Sequence, residues 1–85
     1  MVRLYTALGC HLCEAALDVI EDIRREVPFE LEVVDVGGDP ALEAEYRELL
    51  PVVEVDGQRA FTWFVDPDAL RERLMRPGSS GAGSM

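Results

Sequence analysis

The sequence predicts one α/β domain in which helices cover both faces of a four-stranded mixed β-sheet. Three observations predict it: apolar spacing that changes from strand-like to helical near residue 10, an Asp56-Gly57 pair between two apolar runs, and two Asp-Pro pairs that each precede a helical pattern. In chain order these give β-α-β-α-β-β-α. A strand–helix–strand start implies a right-handed crossover between parallel strands, and the hairpin then adds antiparallel strands.

The first strand and helix follow from this change of period. Val2 to Thr6 is a short, mostly apolar run that predicts a buried strand. From about His11 the apolar residues recur at helical spacing, and Pro28 stops the pattern. The apolar face consists of Ala16, Val19, Ile20, Ile23 and Val27. Glu21 and Arg25, on the polar side, are expected to form a favourable i,i+4 pair.

The second strand is predicted from alternation. Phe29, Leu31 and Val33 alternate with acidic residues, which indicates a strand with one solvated face. The run ends at residues 35–38, where two glycines follow an aspartate and a valine.

The second helix begins at an Asp-Pro pair. Asp39 is predicted as the N-cap and Pro40 as the first helical residue. Its apolar stripe is Leu42, Tyr46, Leu49 and Leu50. Pro51 disfavours helical geometry at Leu50 and therefore ends the helix.

A β-hairpin is predicted from residue 52 to residue 64. Its strands are Val52 to Val55 and Gln58 to Phe64, joined by Asp56-Gly57. Asp-Gly between apolar runs favours a type I′ turn, which needs a positive φ at both residues. Trp63 and Phe64 are neighbours in this predicted strand, so we expect one to face the interior and the other the solvent.

The chain is predicted to end in a short helix and a tail. Asp66-Pro67 repeats the cap-and-proline start, Leu70 and Leu74 supply the apolar positions, and residues 76–78 end the helix. The last seven residues are Gly, Ser and Ala apart from the final Met, which predicts flexibility. We therefore expect one domain over residues 1–76 and a flexible tail over residues 77–85.

Composition excludes several classes of function. The formal net charge of the 85-residue chain is −9, with 17 acidic and 8 basic residues. Nucleic-acid binding needs a basic surface, and anionic membranes repel an acidic one, so neither partner is expected. No run approaches the ~20 apolar residues of a membrane helix, and no export signal is recognisable. We expect a cytoplasmic protein, where paired thiols are more often catalytic or metal-binding than structural.

The chemistry is predicted to lie in Cys10-His11-Leu12-Cys13, where the first strand gives way to the first helix. Unpaired N–H groups and the dipole at a helix N-terminus favour a negative charge. The pKa of the Cys10 thiol should therefore lie below that of an ordinary thiol, which makes Cys10 the expected nucleophile. Cys13 lies almost one turn further on the same face and can resolve a mixed disulfide.

Other interpretations of this motif remain open. The two cysteines could be buried and without chemistry. His11, the only histidine, could stabilise the Cys10 thiolate as an imidazolium, or it could be a solvated side chain that only tunes the redox potential. Metal binding is the sharper alternative, but Cys10, Cys13 and His11 do not complete a four-ligand site. Two chains could share a zinc ion or an iron–sulfur cluster through their cysteines and act as a carrier; a cluster would colour the protein.

With these motifs the chain resembles the glutaredoxin-like branch of the thioredoxin fold. The resemblance rests on the Cys10–Cys13 motif and on Leu50-Pro51-Val52-Val53-Glu54-Val55-Asp56-Gly57, and covers residues 2–75. It implies a thioredoxin-like three-layer sandwich and a thiol–disulfide oxidoreductase. It also implies that Pro51 is cis and faces the cysteines, that the Leu50 backbone pairs with an extended substrate, and that His11 and Leu12 border that substrate.

The chain departs from the glutathione-using members of this family. They usually have a Gly-Gly pair after the second hairpin strand, where this chain has bulky residues over 61–65. Ala7 stands where a basic residue is common, and the N-cap role of Asp66 is enough to explain its presence. We therefore expect no cofactor beyond the Cys10–Cys13 disulfide and regard glutathione as a doubtful substrate. The expected partners are a protein or small-molecule disulfide and a reductant, acting on a monomer.

Overall fold

The computed structural model describes residues 1–75, so the predicted tail lies outside the described residues. The order of elements is the predicted one. They are β1 (Val2–Thr6), α1 (His11–Glu26), β2 (Leu31–Asp35), α2 (Pro40–Tyr46) with a 3₁₀ turn (Arg47–Leu49), β3 (Val52–Val55), β4 (Gln58–Thr62) and α3 (Pro67–Met75).

The four strands form one mixed sheet in the order β2-β1-β3-β4. Strand β1 runs parallel to β2 and antiparallel to β3, and β3 and β4 form the hairpin. Tyr5 lies opposite Val52, so the last residues of β1 and the first residues of β3 lie side by side at one end of the sheet. The chain enters α1 from that end, which brings the cysteine motif to the same end of the sheet as the residues before β3.

Two apolar clusters lie on opposite faces of the sheet. Because successive side chains of a strand alternate, Val2 and Leu4 face one cluster while Tyr5 faces the other. The first cluster joins α1 and α3 to the sheet; its helical members include Ala16, Ile20, Ile23 and Leu70. The second joins α2 to the sheet through Tyr46. The helices therefore cover both faces, and the predicted sandwich is confirmed.

The second cluster supports the end of the sheet next to the cysteine motif. The rings of Tyr5 and Tyr46 stack with centroids 4.2 Å apart, and the Arg59 guanidinium lies 5.7 Å from the centre of the Tyr46 ring. Burial is the main cause that raises the pKa of the Tyr46 phenol. Ala7 and Leu50, which flank the functional region, pack on this cluster.

Both predicted helix caps are present. Asp39 Oδ1 accepts hydrogen bonds from the backbone N–H groups of Ala41 and Leu42 at 3.1 and 3.3 Å. Asp66 Oδ1 accepts from Asp68 at 2.9 Å and more weakly from the next residue. Leu50 has an extended backbone (φ −62°, ψ 143°), as the proline after it requires.

Two details of α1 and β2 differ from expectation. β2 begins at Leu31, and Val33 is 46% exposed although the alternation places it on the buried side. The reason is that β2 is an edge strand, which the helices cover only in part. On α1, Arg25 pairs with Asp22, three residues before it, at 2.8 Å rather than with the predicted partner Glu21, four residues before it.

The end of the hairpin was predicted wrongly. β4 stops at Thr62, two residues before the predicted end, and neither Trp63 nor Phe64 belongs to a strand. Both side chains are exposed, by 56% and 70%, so the expected division into one inward and one outward residue is wrong. The backbone turns sharply at Trp63, whose φ is 67°, and this turn ends the strand alternation.

We predict that Gly57→Ala lowers the free energy of unfolding by about 1–2 kcal/mol, since an L-residue with a side chain is strained at positive φ. Asp56 and Gly57 have φ values of 52° and 84°, as the predicted turn requires. A Cβ at Gly57 meets nothing within 4 Å, so the loss measures backbone strain alone. Urea denaturation of both proteins measures it.

Gly37→Ala is the matched control. Its φ lies outside the left-handed region, and the new Cβ would lie 3.1 Å from the end of the Asp35 side chain, which can move. We expect a smaller loss here than at Gly57. An equal or larger loss at Gly37 would contradict the turn assignment.

Candidate redox site

A short turn carries the chain from β1 into α1 and places Cys10 at the start of the helix. Gly9 adopts a φ of 81°, and the Cys10 N–H donates to the Ala7 carbonyl at 3.2 Å. Cys10 then has extended backbone angles (φ −89°, ψ 104°) and is the N-cap of α1. Its Sγ accepts a hydrogen bond from the Cys13 backbone N–H at 3.2 Å. The sulfur therefore occupies the position in which helix termini favour an anion.

Cys10 and Cys13 are joined by a disulfide, with their Cα atoms 5.2 Å apart. The two sulfurs differ in access. Cys10 is partly exposed, whereas Cys13 is only 1% exposed on the inner face of α1. An external thiol or disulfide therefore reaches Cys10 more readily than Cys13, as the sequence predicts.

His11 and Leu12 lie between the cysteines and point outward. His11 is almost fully exposed, and its Nδ1 lies 4.0 Å from a carboxylate oxygen of Glu14. A pair this long and this exposed contributes little to stability. Leu12 is also exposed. Both residues lie within the loop that the disulfide closes.

The segment before β3 lies at the same end of the sheet as the disulfide. The peptide bond between Leu50 and Pro51 is cis, and Pro51 is buried. Val52, the next residue, pairs with Tyr5 near the end of β1. The fold therefore places the two sequence segments that the resemblance assigns to the site, residues 10–13 and 50–51, at the same end of the sheet.

Sequence reasoning missed the role of Trp63. Its backbone N–H donates to the carbonyls of Pro51 at 2.9 Å and Leu49 at 3.3 Å. Its indole Nε1–H donates to the carbonyl of Glu48 at 2.9 Å. Trp63 thus binds the whole segment that leads to Pro51. The sequence signal was faint: the only tryptophan of the chain, at the end of a predicted strand.

The backbone at Trp63 forms a tight, strained turn. The Phe64 N–H donates to the Thr62 carbonyl at 2.7 Å, which closes a three-residue turn around Trp63. A φ of 67° at the central residue matches the rare, strained form of the γ-turn. The left-handed region costs a residue with a side chain about 1–2 kcal/mol. The hydrogen bonds to the preceding segment and the packing around the indole offset this strain.

Exposed apolar side chains lie near the cysteine motif: Leu8 and Leu12 flank Cys10 in the chain, and Leu12 shares a hollow with Trp63 and Phe64. We call Leu8, Leu12, Trp63 and Phe64 the apolar rim; Leu8 is 96% exposed. A shallow hollow of about 60 Å³ lies within it, between α1 and the connection from β4 to α3. Its lining includes Leu12, Ala15, Val19, Trp63 and Phe64. Contiguous exposed apolar surface commonly marks a binding surface.

A larger hollow of about 430 Å³ lies away from the cysteines, between α1 and the start of α3. Its charged groups pair with each other: Arg71 bonds Glu26 at 2.9 Å and Arg25 bonds Asp22 at 2.8 Å. These pairs account for the charges without a ligand, so the apolar rim remains the candidate binding surface.

Within residues 1–75, no three His, Cys, Asp or Glu side chains are grouped so that they could hold a metal ion. Over the same residues, the helices are all too short or too polar to span a bilayer.

Comparisons with known proteins agree with this geometry. Residues 1–75 match the family model described as Glutaredoxin-like domain (DUF836). An uncharacterized protein of Mycobacterium tuberculosis is 34% identical over 80 residues, covering 88% of this chain and 82% of the relative.

Solved structures are similar too. A structural-genomics target protein from X. campestris superimposes with a TM-score of 0.74 at 30% identity, covering 87% of this chain and 95% of the other. Thioredoxin from Fasciola hepatica gives a TM-score of 0.59 at 26% identity, covering 88% and 77%.

We predict that a thiol-alkylating reagent labels Cys10 before Cys13 in the reduced protein at neutral pH. Cys10 is the partly exposed helix cap, whereas Cys13 is buried. Reduction, brief treatment with iodoacetamide and mass spectrometry of the peptides measure the order. Denatured protein, in which both thiols are accessible, is the control. Faster labelling of Cys13 in the folded protein would reverse the assignment of nucleophile.

Proposed function

The chain belongs to the glutaredoxin-like domain family, and on that premise we propose that it is a thiol–disulfide oxidoreductase with Cys10 as nucleophile and Cys13 as resolving thiol. One observation carries the proposal: Cys10 Sγ caps α1 and accepts the Cys13 N–H, while the Cys13 sulfur is close enough to form the disulfide. The described geometry corresponds to the oxidised state of this pair.

The proposed reaction is two successive thiol–disulfide exchanges. In the reduced protein the Cys10 thiolate attacks one sulfur of a substrate disulfide, forming a mixed disulfide and releasing the other sulfur as a thiolate, which takes a proton from water. The Cys13 thiol then loses its proton to water and attacks Cys10 Sγ. This forms the Cys10–Cys13 disulfide and releases the second substrate thiolate, which is protonated in turn. Two electrons pass to the substrate, and an external dithiol restores the pair as it is itself oxidised to a disulfide.

The helix terminus supports each role. A thiolate at Cys10 faces the Cys13 N–H and the positive end of the α1 dipole, both of which stabilise an anion. Cys13 is buried, so its favoured partner is the adjacent Cys10 sulfur rather than an external disulfide. The difference in burial assigns the roles: the partly exposed Cys10 attacks the substrate, and the buried Cys13 resolves the mixed disulfide.

The site's surroundings favour protein disulfides as substrates. An extended substrate segment could pair with the Leu50 backbone beside Pro51, and the apolar rim could receive apolar side chains next to its cysteine. His11 and Leu12 would contact this segment. The first half of α1 exposes Glu14 and Asp18, whereas its basic residues lie in the last turn, which favours basic rather than acidic flanking residues.

The proposed setting is the reducing cytoplasm, with the protein acting as a monomer and without nucleic acid or membrane. A cysteine pair of this kind is kept reduced there and can act repeatedly. The disulfide itself is the only redox group that the proposed reaction needs.

We predict that Cys13→Ser accumulates mixed disulfides between Cys10 and its substrates. Serine keeps the size of the side chain but removes the attacking sulfur, so the intermediate is no longer resolved. Expression of the tagged variant in cells, quenching with acid and non-reducing electrophoresis should show adducts that disappear on reduction.

Cys10→Ser is the matched control and should trap nothing, because Cys13 is buried. Equal trapping by both variants would contradict the division of roles. If neither variant traps a partner and both bind a metal, the carrier function replaces this proposal.

We predict weak or no turnover of glutathione mixed disulfides. Small residues that let backbone amides approach the tripeptide are replaced here by residues such as Phe61 and Trp63, and the nearby Glu14 and Asp18 repel its carboxylates. A glutathione-coupled assay measures the turnover, with a basic peptide disulfide as the positive control on the same protein. Efficient turnover of the glutathione substrate would contradict this preference.

A further inference from the structure

Trp63 connects the two halves of the proposed site. On one side, its three hydrogen bonds reach the carbonyls of Glu48, Leu49 and Pro51. On the other, its side chain lines the hollow beside Leu12, which lies between the two cysteines on α1. One residue therefore binds the segment expected to pair with substrate and faces the same hollow as the helix that follows the nucleophile.

The geometry of Trp63 is not explained by burial in the core. More than half of the side chain is exposed, and its φ of 67° is one that bulky residues rarely adopt. Strained backbone of this kind is concentrated at functional sites, where the surrounding structure enforces it. Here the turn directs the Trp63 N–H groups at the backbone that precedes β3.

We propose that Trp63 is a positioning residue that holds the Leu50–Pro51 backbone in place for an extended substrate. This inference rests on the proposed thiol–disulfide exchange. The three carbonyls that Trp63 binds flank or belong to the residues whose backbone would pair with the substrate. Trp63 acts through this segment and leaves the attack of Cys10 itself unchanged. It therefore matters for peptide disulfides and not for small disulfides that make no backbone pairing.

The test compares Trp63→Phe with the wild-type protein on two substrates. Phenylalanine keeps an aromatic ring and the backbone N–H but removes the indole N–H. For a peptide disulfide with an extended, basic flanking segment, we expect kcat/KM to fall roughly three- to tenfold, mainly through KM, as the loss of one hydrogen bond implies. For 2,2′-dithiodipyridine, which has no peptide backbone, we expect the rate constant to stay within about twofold.

Gln58→Ala is the matched control at the other end of β4. It removes a side-chain hydrogen bond of similar exposure, accepted from Arg73 at 3.1 Å, and should change neither rate. Trp63→His, which restores a ring N–H, should recover part of the lost kcat/KM. An unchanged KM for the peptide in Trp63→Phe, or equal losses on both substrates, would overturn the positioning role.

A second measurement uses the wild-type protein and does not depend on the stability of a variant. The chain has one tryptophan, so its indole N–H gives a single, assignable NMR signal. Saturation with an unreactive peptide analogue, in which serine replaces the cysteines, should shift this signal and slow its exchange with solvent. A signal unaffected by bound peptide would contradict the inference. Failure of the wild-type protein to reduce either disulfide would instead contradict the proposed function.

Discussion

The arrangement of the site depends on β1 being hydrogen-bonded along both edges, to β2 in parallel and to β3 in antiparallel orientation. The parallel pairing requires α1 to cross over one face of the sheet, so the helix must begin where β1 ends. The antiparallel pairing makes β3 begin at the end of the sheet where β1 finishes, since Tyr5 lies opposite Val52. Backbone pairing therefore brings the cysteine motif and Pro51, about 40 residues apart in the chain, to the same end of the sheet before any side chain of the site contributes. Both apolar clusters then fix this strand from above and below.

Most of the fold could be predicted because its elements begin and end at residues with strong local preferences. Asp39 and Asp66 cap helices whose first residue is proline, and Asp56-Gly57 adopts the positive φ values that its turn needs. These preferences act within three or four residues, so the sequence displays them directly. The end of β4 could not be predicted in this way. The strand ends where the Trp63 backbone turns at a φ of 67°, with the indole N–H bound to a carbonyl 15 residues earlier in the chain. β-propensity carries no information about such a contact.

The candidate site shows the same division between local and distant causes. The roles expected for Cys10 and Cys13 followed from their places at a helix start, and their difference in exposure agrees with those roles. His11 and Leu12 were expected to border a substrate, and both are exposed beside the disulfide. The apolar rim could not be predicted as one surface, because Leu8 and Phe64 belong to different connections that only the tertiary structure brings toward the same end of the molecule. A local sequence pattern cannot show that exposed residues from separate loops form one surface.

The apolar rim and the acidic charge of the chain have to be considered together. An exposed apolar surface favours self-association, and in a chain of only 85 residues it also removes apolar area from a core that is already small. A formal net charge of −9 opposes that association, because two copies repel each other as they approach. The same charge attracts a basic polypeptide, whose apolar side chains can then cover the rim. An apolar contact surface on a protein with this net charge therefore disfavours a second copy of this chain and an anionic tripeptide for the same electrostatic reason. Both features are complementary to a basic, extended protein segment, which is the partner that we propose.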